Sequence, residues 1–176
     1  MSLDLRAGDS VGEILWITNV GKQVYAVVNP LWAWCIEGYS PPTEIYLIWN
    51  EAVKKELEIV IKLITRLYSA LGYTPRIKLV PIPEEFRSYN SEFSKLVNEL
   101  LRREDIELLI MDMTPGRKFM SAVIAKHVLD IKEIIRNKDI KISTRIVYLH
   151  LRDMAYQNVP YPLIPFPKLC LEVYGD

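Results

Sequence analysis

Long apolar runs, cysteines, histidines and an excess of charge of either sign are all scarce or missing in this sequence. The most apolar stretch, Val24 to Ile36, is interrupted by Asn29 and Pro30, and it falls short of the roughly 20 residues that a membrane-spanning helix needs. The N-terminal MSLDLRAGDS has no basic start leading into an apolar segment, so no signal peptide is expected and a soluble, cytoplasmic protein is the default. Two cysteines, Cys35 and Cys170, cannot build a dense disulfide framework and lack metal-ligand spacing. With His127 and His150 as the only histidines, no zinc site and no other metal or cofactor is expected. Lysine plus arginine number 22 and aspartate plus glutamate number 22. That balance excludes an overall basic surface for gripping long nucleic acid, so anion-binding chemistry must come from a local cluster.

What remains is a chain of 176 residues, half hydrophobic and a quarter charged. That suits one domain, 1–176, with a single core. Short apolar strands and amphipathic helices alternate almost throughout. Ile14–Ile17 reads as a buried first strand closed by Thr18-Asn19-Val20-Gly21. Val24, Val27, Val28, Leu31, Trp34 and Cys35 recur at helical spacing, predicting a helix over Gln23–Glu37 that kinks or restarts at Pro30. Glu44–Trp49 is the second strand. Val53 to Leu71 carries the clearest helical face, with Gly72 in the C-terminal cap position. Arg76–Ile82, a helix over Tyr89–Leu101, and the strand Ile106–Met111 follow. A fourth helix after Lys118 and the strand Arg145–Leu151 complete the series. Pro160, Pro162, Pro165 and Pro167 forbid a central strand early in the tail, while Lys168–Tyr174 is compatible with a short antiparallel edge strand.

Repeated strand–helix–strand units predict an α/β fold, a mostly parallel sheet of about six strands with helices on both faces. In the commonest order, 3-2-1-4-5-6, strands 1 and 4 are neighbours and their outgoing connections diverge, leaving a ligand crevice between them. The loops to inspect are therefore Thr18–Gln23 and Asp112–Lys118.

In the second loop, Thr114 suits a helix N-cap, Pro115 the first helical position, and Gly116 a close backbone approach. Arg117 and Lys118 fit a structural role less well. Two cations in a first turn oppose the helix dipole at about 0.3–1 kcal/mol each, and a bound anion reverses that sign. Neither a P-loop nor a GxGxxG fingerprint is present. The first loop adds Asn19, Gly21, Lys22 and Gln23. Lys22, Arg117 and Lys118 in one crevice suit a compact polyanionic ligand.

Other candidates read as structural. His150 shares a strand side with Tyr148 and Arg152, and His127 lies on an apolar helix face. Asp112 reads as orienting its loop, Glu84-Glu85 and Glu51 to Glu58 as solvated helix surface, and Trp32 and Trp34 as packing or subunit contact.

The segment Asp112-Met113-Thr114-Pro115-Gly116-Arg117-Lys118-Phe119-Met120, at a strand–helix junction, resembles the signature of CARF domains, the Rossmann-like sensors of type III CRISPR systems. The family pattern is roughly Asp-x-Thr/Ser-x-Gly-x-Lys/Arg after the fourth strand, with a polar loop after the first. Pro115 stands where glycine is frequent. The resemblance implies a two-fold homodimer that binds cyclic oligoadenylate across its axis. A chain taken up by the sensor fold is similar to the stand-alone CRISPR ring nucleases, which cut cyclic tetra-adenylate and switch the antiviral response off. The implied reaction needs no metal: a ribose 2′-hydroxyl attacks the adjacent phosphate in line, leaving 2′,3′-cyclic phosphate ends. Under this resemblance Arg117 and Lys118 contact phosphate and stabilise charge. Asn19, Gly21, Lys22 and Gln23 hold the ring from the first loop, and Thr114, Pro115 and Gly116 from the second. Lys168 is a third catalytic candidate, since some members use a basic residue on the C-terminal segment. The alternative implied by the same resemblance is a sensor that binds the ring without cutting it and regulates a partner.

Overall fold

The computed structural model describes residues 12–138 and 141–175. The segment MSLDLRAGDS, read above for a signal peptide, lies outside the described residues. Strand β1 is Glu13–Asn19, β2 Glu44–Trp49, β3 Arg76–Pro81, β4 Ile106–Asp112, β5 Ser143–Leu151 and β6 Leu169–Tyr174. Helix α1 is Val24–Ile36, α2 Lys54–Ala70, α3 Phe86–Leu100 and α4 Lys118–Lys138. One six-stranded sheet runs β3-β2-β1-β4-β5-β6, the order expected. All neighbouring strands are parallel except β5 and β6, which pair antiparallel with Leu151 opposite Leu169.

Side-chain alternation sorts the central strands into two core layers. Leu15, Ile17, Tyr46, Ile48, Leu109 and Met111 face the layer shared with α3 and α4. Trp16, Ile45, Leu47, Ile110 and Val147 face the layer shared with α1 and α2. Helix α2 buries Leu57, Val60, Ile64, Leu67 and Tyr68, and α3 buries Tyr89, Phe93, Leu96, Val97 and Leu100, each at the spacing that makes one apolar stripe. The doubly wound, Rossmann-like arrangement follows: α1 and α2 cover one face, α3 and α4 the other, and the loops after β1 and β4 part at the centre.

Two helices depart from the sequence reading. Helix α1 does not restart at Pro30 but runs continuously through it. Burial of Val27, Val28, Leu31 and Trp34 against the sheet outweighs the one backbone bond that proline removes. Buried Asn29 beside it clamps the tail: its amide donates to the Val159 carbonyl and its oxygen accepts the Tyr161 N–H, both at 2.9 Å. Helix α3 starts at Phe86, earlier than Tyr89, because the Glu85 carboxylate caps it, accepting the N–H groups of Arg87 and Ser88. Among the described residues, no helix is long and apolar enough to cross a membrane.

The N-terminal edge of the sheet is held by charge. Glu44, 4% exposed, receives the Arg103 guanidinium at 2.5 Å and the Tyr46 hydroxyl at 3.0 Å, with Arg76 at 3.6 Å. Burial works to raise its pKa, but the hydrogen bonds from Arg103 and Tyr46 and the charges of Arg103 and Arg76 prevail and hold it below the ordinary value. The folded carboxyl therefore gives up its proton more readily than the unfolded one. Its stabilising effect is complete above the unfolded pKa, about 4.3, and is lost as pH falls through the folded value. Urea titrations of Glu44→Gln should show a loss of about 2 kcal/mol or more at pH 7 that narrows toward pH 3, since truncating one member of a buried pair strands the other. A deficit independent of pH would contradict this assignment.

Candidate functional site

The loops after β1 and β4 meet at the C-terminal edge of the sheet. The two loops approach closely: a methyl group added to Gly21 would reach van der Waals contact with the Gly116 amide nitrogen, at 3.8 Å. Gly116 has φ +100°, which a side chain tolerates poorly, and a methyl there would press on Met120 Sδ at 3.1 Å and Asn19 Cβ at 3.4 Å. Between the loops opens a cleft of about 420 Å³. Its lining brings together Gly21, Lys22 and Gln23 from the first loop and Thr114, Pro115, Gly116 and Arg117 from the second, along with Asn50, Ala52 and Glu84.

A buried carboxylate sets this alignment. Asp112, the last residue of β4, is fully buried. Its Oδ2 accepts the Thr18 hydroxyl of β1 at 2.8 Å, and its Oδ1 accepts the Thr114 N–H at 2.8 Å. The Thr114 hydroxyl oxygen in turn accepts the Leu149 N–H of β5 at 2.8 Å. Three strands are thus tied to the second loop. Thr114 is consequently not the helix N-cap and Pro115 not the first helical residue, as the local sequence suggests. The Thr114 hydroxyl oxygen that would cap a helix accepts the Leu149 N–H instead, and α4 begins only at Lys118, with the Arg117 carbonyl accepting the Met120 N–H.

The cations are already paired. Arg117 Nε lies 2.5 Å from Glu84 Oε1. Lys22 donates to the Ala52 carbonyl and lies 3.3 Å from Glu56. The dipole conflict anticipated for Arg117 is met by Glu84, a residue that the sequence reading assigned to solvated helix surface. No local signal marks it, because its place comes from the β3–α3 turn. Lys118 is exposed at the start of α4 and does not line the cleft. Lys168 sits on the same sheet edge but two strand spacings beyond β4, about 10 Å, where it pairs with Asp153 at 3.2 Å.

Asn19, 2% exposed, lies beneath Gly116. Its oxygen accepts the Tyr89 hydroxyl at 2.8 Å, while its Nδ2 has no hydrogen-bond partner. The first turn of α1 also meets the cleft without a side-chain cap, its N-cap Gln23 making no such bond. Away from the cleft, His127 packs on Phe93 and contacts Ser94, as a core residue does, and His150 is exposed beside Tyr148. Trp34 is buried, stacked on Tyr39. Among the described residues, no group of three or more His, Cys, Asp or Glu side chains is arranged to hold a metal.

In comparisons with known proteins, no family model matches the chain and no curated protein matches it.

Burial pushes the Asp112 carboxyl up to about 7, against hydrogen bonds from Thr114 and Thr18 that lower it. Between the unfolded value, about 3.9, and the folded one, the native protein holds a proton that unfolding releases. Stability therefore falls as pH rises through that window and levels off above it. Asp112→Asn keeps an oxygen for Thr114 and removes the titration. The stability difference between wild type and Asp112→Asn, read by urea unfolding, should shift steadily against the wild type from about pH 4 to pH 7. Parallel pH profiles would show that Asp112 does not titrate there.

Proposed function

We propose that the chain is a CARF-type ring nuclease, binding cyclic oligoadenylate in this cleft as a homodimer and cutting it without a metal. One observation carries the reading. The motif loop Thr114–Arg117 and the polar loop Gly21–Gln23 line a single cleft at the β1/β4 switch point, each contributing a cation. The uncapped first turn of α1 adds N–H donors that a phosphate oxygen would satisfy.

In-line attack by a ribose 2′-hydroxyl requires a held geometry and stabilisation of extra negative charge on phosphorus. Backbone N–H groups and the glycines can supply the first, and Arg117 the second. A guanidinium can hold phosphate through two parallel N–H bonds. Thr114 and Pro115 shape the wall of the cleft. Lys118 and Lys168 are carried by the family resemblance alone, as is the choice of cyclic tetra-adenylate over other ring sizes.

Purified protein incubated with cyclic tetra-adenylate in EDTA should yield linear products with 2′,3′-cyclic phosphate ends, identified by mass spectrometry. Arg117→Ala should slow cutting about 100-fold while leaving thermal unfolding unchanged, as loss of one charge-stabilising donor does. A ring bound but left intact would make the protein a sensor. A ring not bound at all would assign the cleft to other nucleotide chemistry on the same fold.

A further inference from the structure

We propose that Glu84 receives the ribose 2′-hydroxyl of the bound ring and takes its proton as the hydroxyl attacks, an inference that rests on the ring-nuclease reading. Among the described residues lining the cleft, Glu84 is the only carboxylate. Its neighbour Glu85 is committed elsewhere, capping α3 through the N–H groups of Arg87 and Ser88. The turn that carries Glu84 is fixed to the sheet by the Ile82 N–H, which donates to the Trp49 carbonyl at 2.9 Å, and by the burial of Ile82. Glu84 is thus presented to the cleft by a turn whose own capping needs are met without it.

Its one ion pair, to Arg117, joins side chains 35% and 67% exposed. Pairs that exposed contribute little to stability, so the fold does not account for the placement. Ligand chemistry does. A bare phosphate drawn to Arg117 would meet the negative charge of Glu84 at hydrogen-bond distance from the same guanidinium. A ribose phosphate instead brings a hydroxyl beside its phosphate, and an ionised carboxylate is an acceptor that such a donor satisfies. Arg117 and Glu84 together therefore match a phosphate with a hydroxyl next to it. A guanidinium offers donors only and cannot serve as the base.

The step balances without a further reactant. The 2′-hydroxyl proton passes to the Glu84 carboxylate, the 2′-oxygen forms a bond to the adjacent phosphorus, and the bond from phosphorus to the 5′-oxygen breaks. The leaving 5′-oxygen takes a proton from water, the product carries a 2′,3′-cyclic phosphate and a 5′-hydroxyl, and Glu84 returns its proton to solvent. Arg117 offsets the charge that develops on the phosphoryl oxygens.

The test uses Glu84→Gln and Glu84→Ala in the full chain, with cyclic tetra-adenylate and its 2′-deoxy counterpart as probes. Single-turnover cutting by Glu84→Gln should be about 100-fold slower than wild type, with ring affinity within about threefold, as loss of a general base requires. The wild-type rate should rise with pH at low pH with a slope of one, and that limb should vanish in Glu84→Gln. Wild type should prefer the ribo ring over the deoxy ring, and Glu84→Ala should lose much of that preference. Cutting by Glu84→Gln at the wild-type rate, or slowed with an unchanged pH profile, overturns the role of Glu84 and leaves the ring-nuclease reading standing. A wild-type protein that leaves the ring uncut overturns both.

Discussion

The hydrogen bonds of Asp112 are the constraint on which the candidate site depends. A carboxyl group without access to water is costly unless its oxygens are occupied. Here one oxygen is taken by β1 through Thr18 and the other by the second loop through Thr114. Thr114 then anchors to β5 through Leu149. This chain of bonds fixes the second loop against the central strands and so sets Gly116 opposite Gly21. Without it, the diverging connections of a doubly wound sheet would leave a gap of no particular shape.

Charge in the cleft is arranged by the same economy. The protein has no net charge to spare, and both cleft cations are balanced by carboxylates drawn from other elements, Glu84 for Arg117 and Glu56 for Lys22. A polyanionic ligand would exchange partners with those carboxylates instead of filling an unbalanced positive hole. Both pairs are exposed enough for such exchange to be shallow in energy. The opposite edge of the sheet behaves differently, since Glu44 is buried among Arg103, Tyr46 and Arg76 and serves stability.

Much of the fold is legible in the residues because strand and helix periods alternate without interruption. The strand order, the helices on both faces and the antiparallel β6 all agree with that reading. Reasoning from local rules went astray where a distant residue claimed a local one. Thr114 looks like an N-cap until Leu149 takes its hydroxyl oxygen. Pro30 reads as a restart point until the apolar face of α1 is packed. Glu84 looks like surface until the β3–α3 turn brings it to Arg117. Of the site residues read from sequence, the two loops converge on one cleft with Asn19 beneath them, while Lys118 and Lys168 lie outside its lining.

The central claim is that the Gly21–Gly116 junction is a cradle for ribose phosphate. A crystal structure of the protein with a non-cleavable cyclic adenylate tests it most directly. A phosphate is expected between the two loops, in contact with Arg117, with Glu84 turned from the guanidinium to a ribose hydroxyl. A ring bound elsewhere on the molecule, with the Arg117–Glu84 pair intact and the cleft holding only solvent, would contradict it.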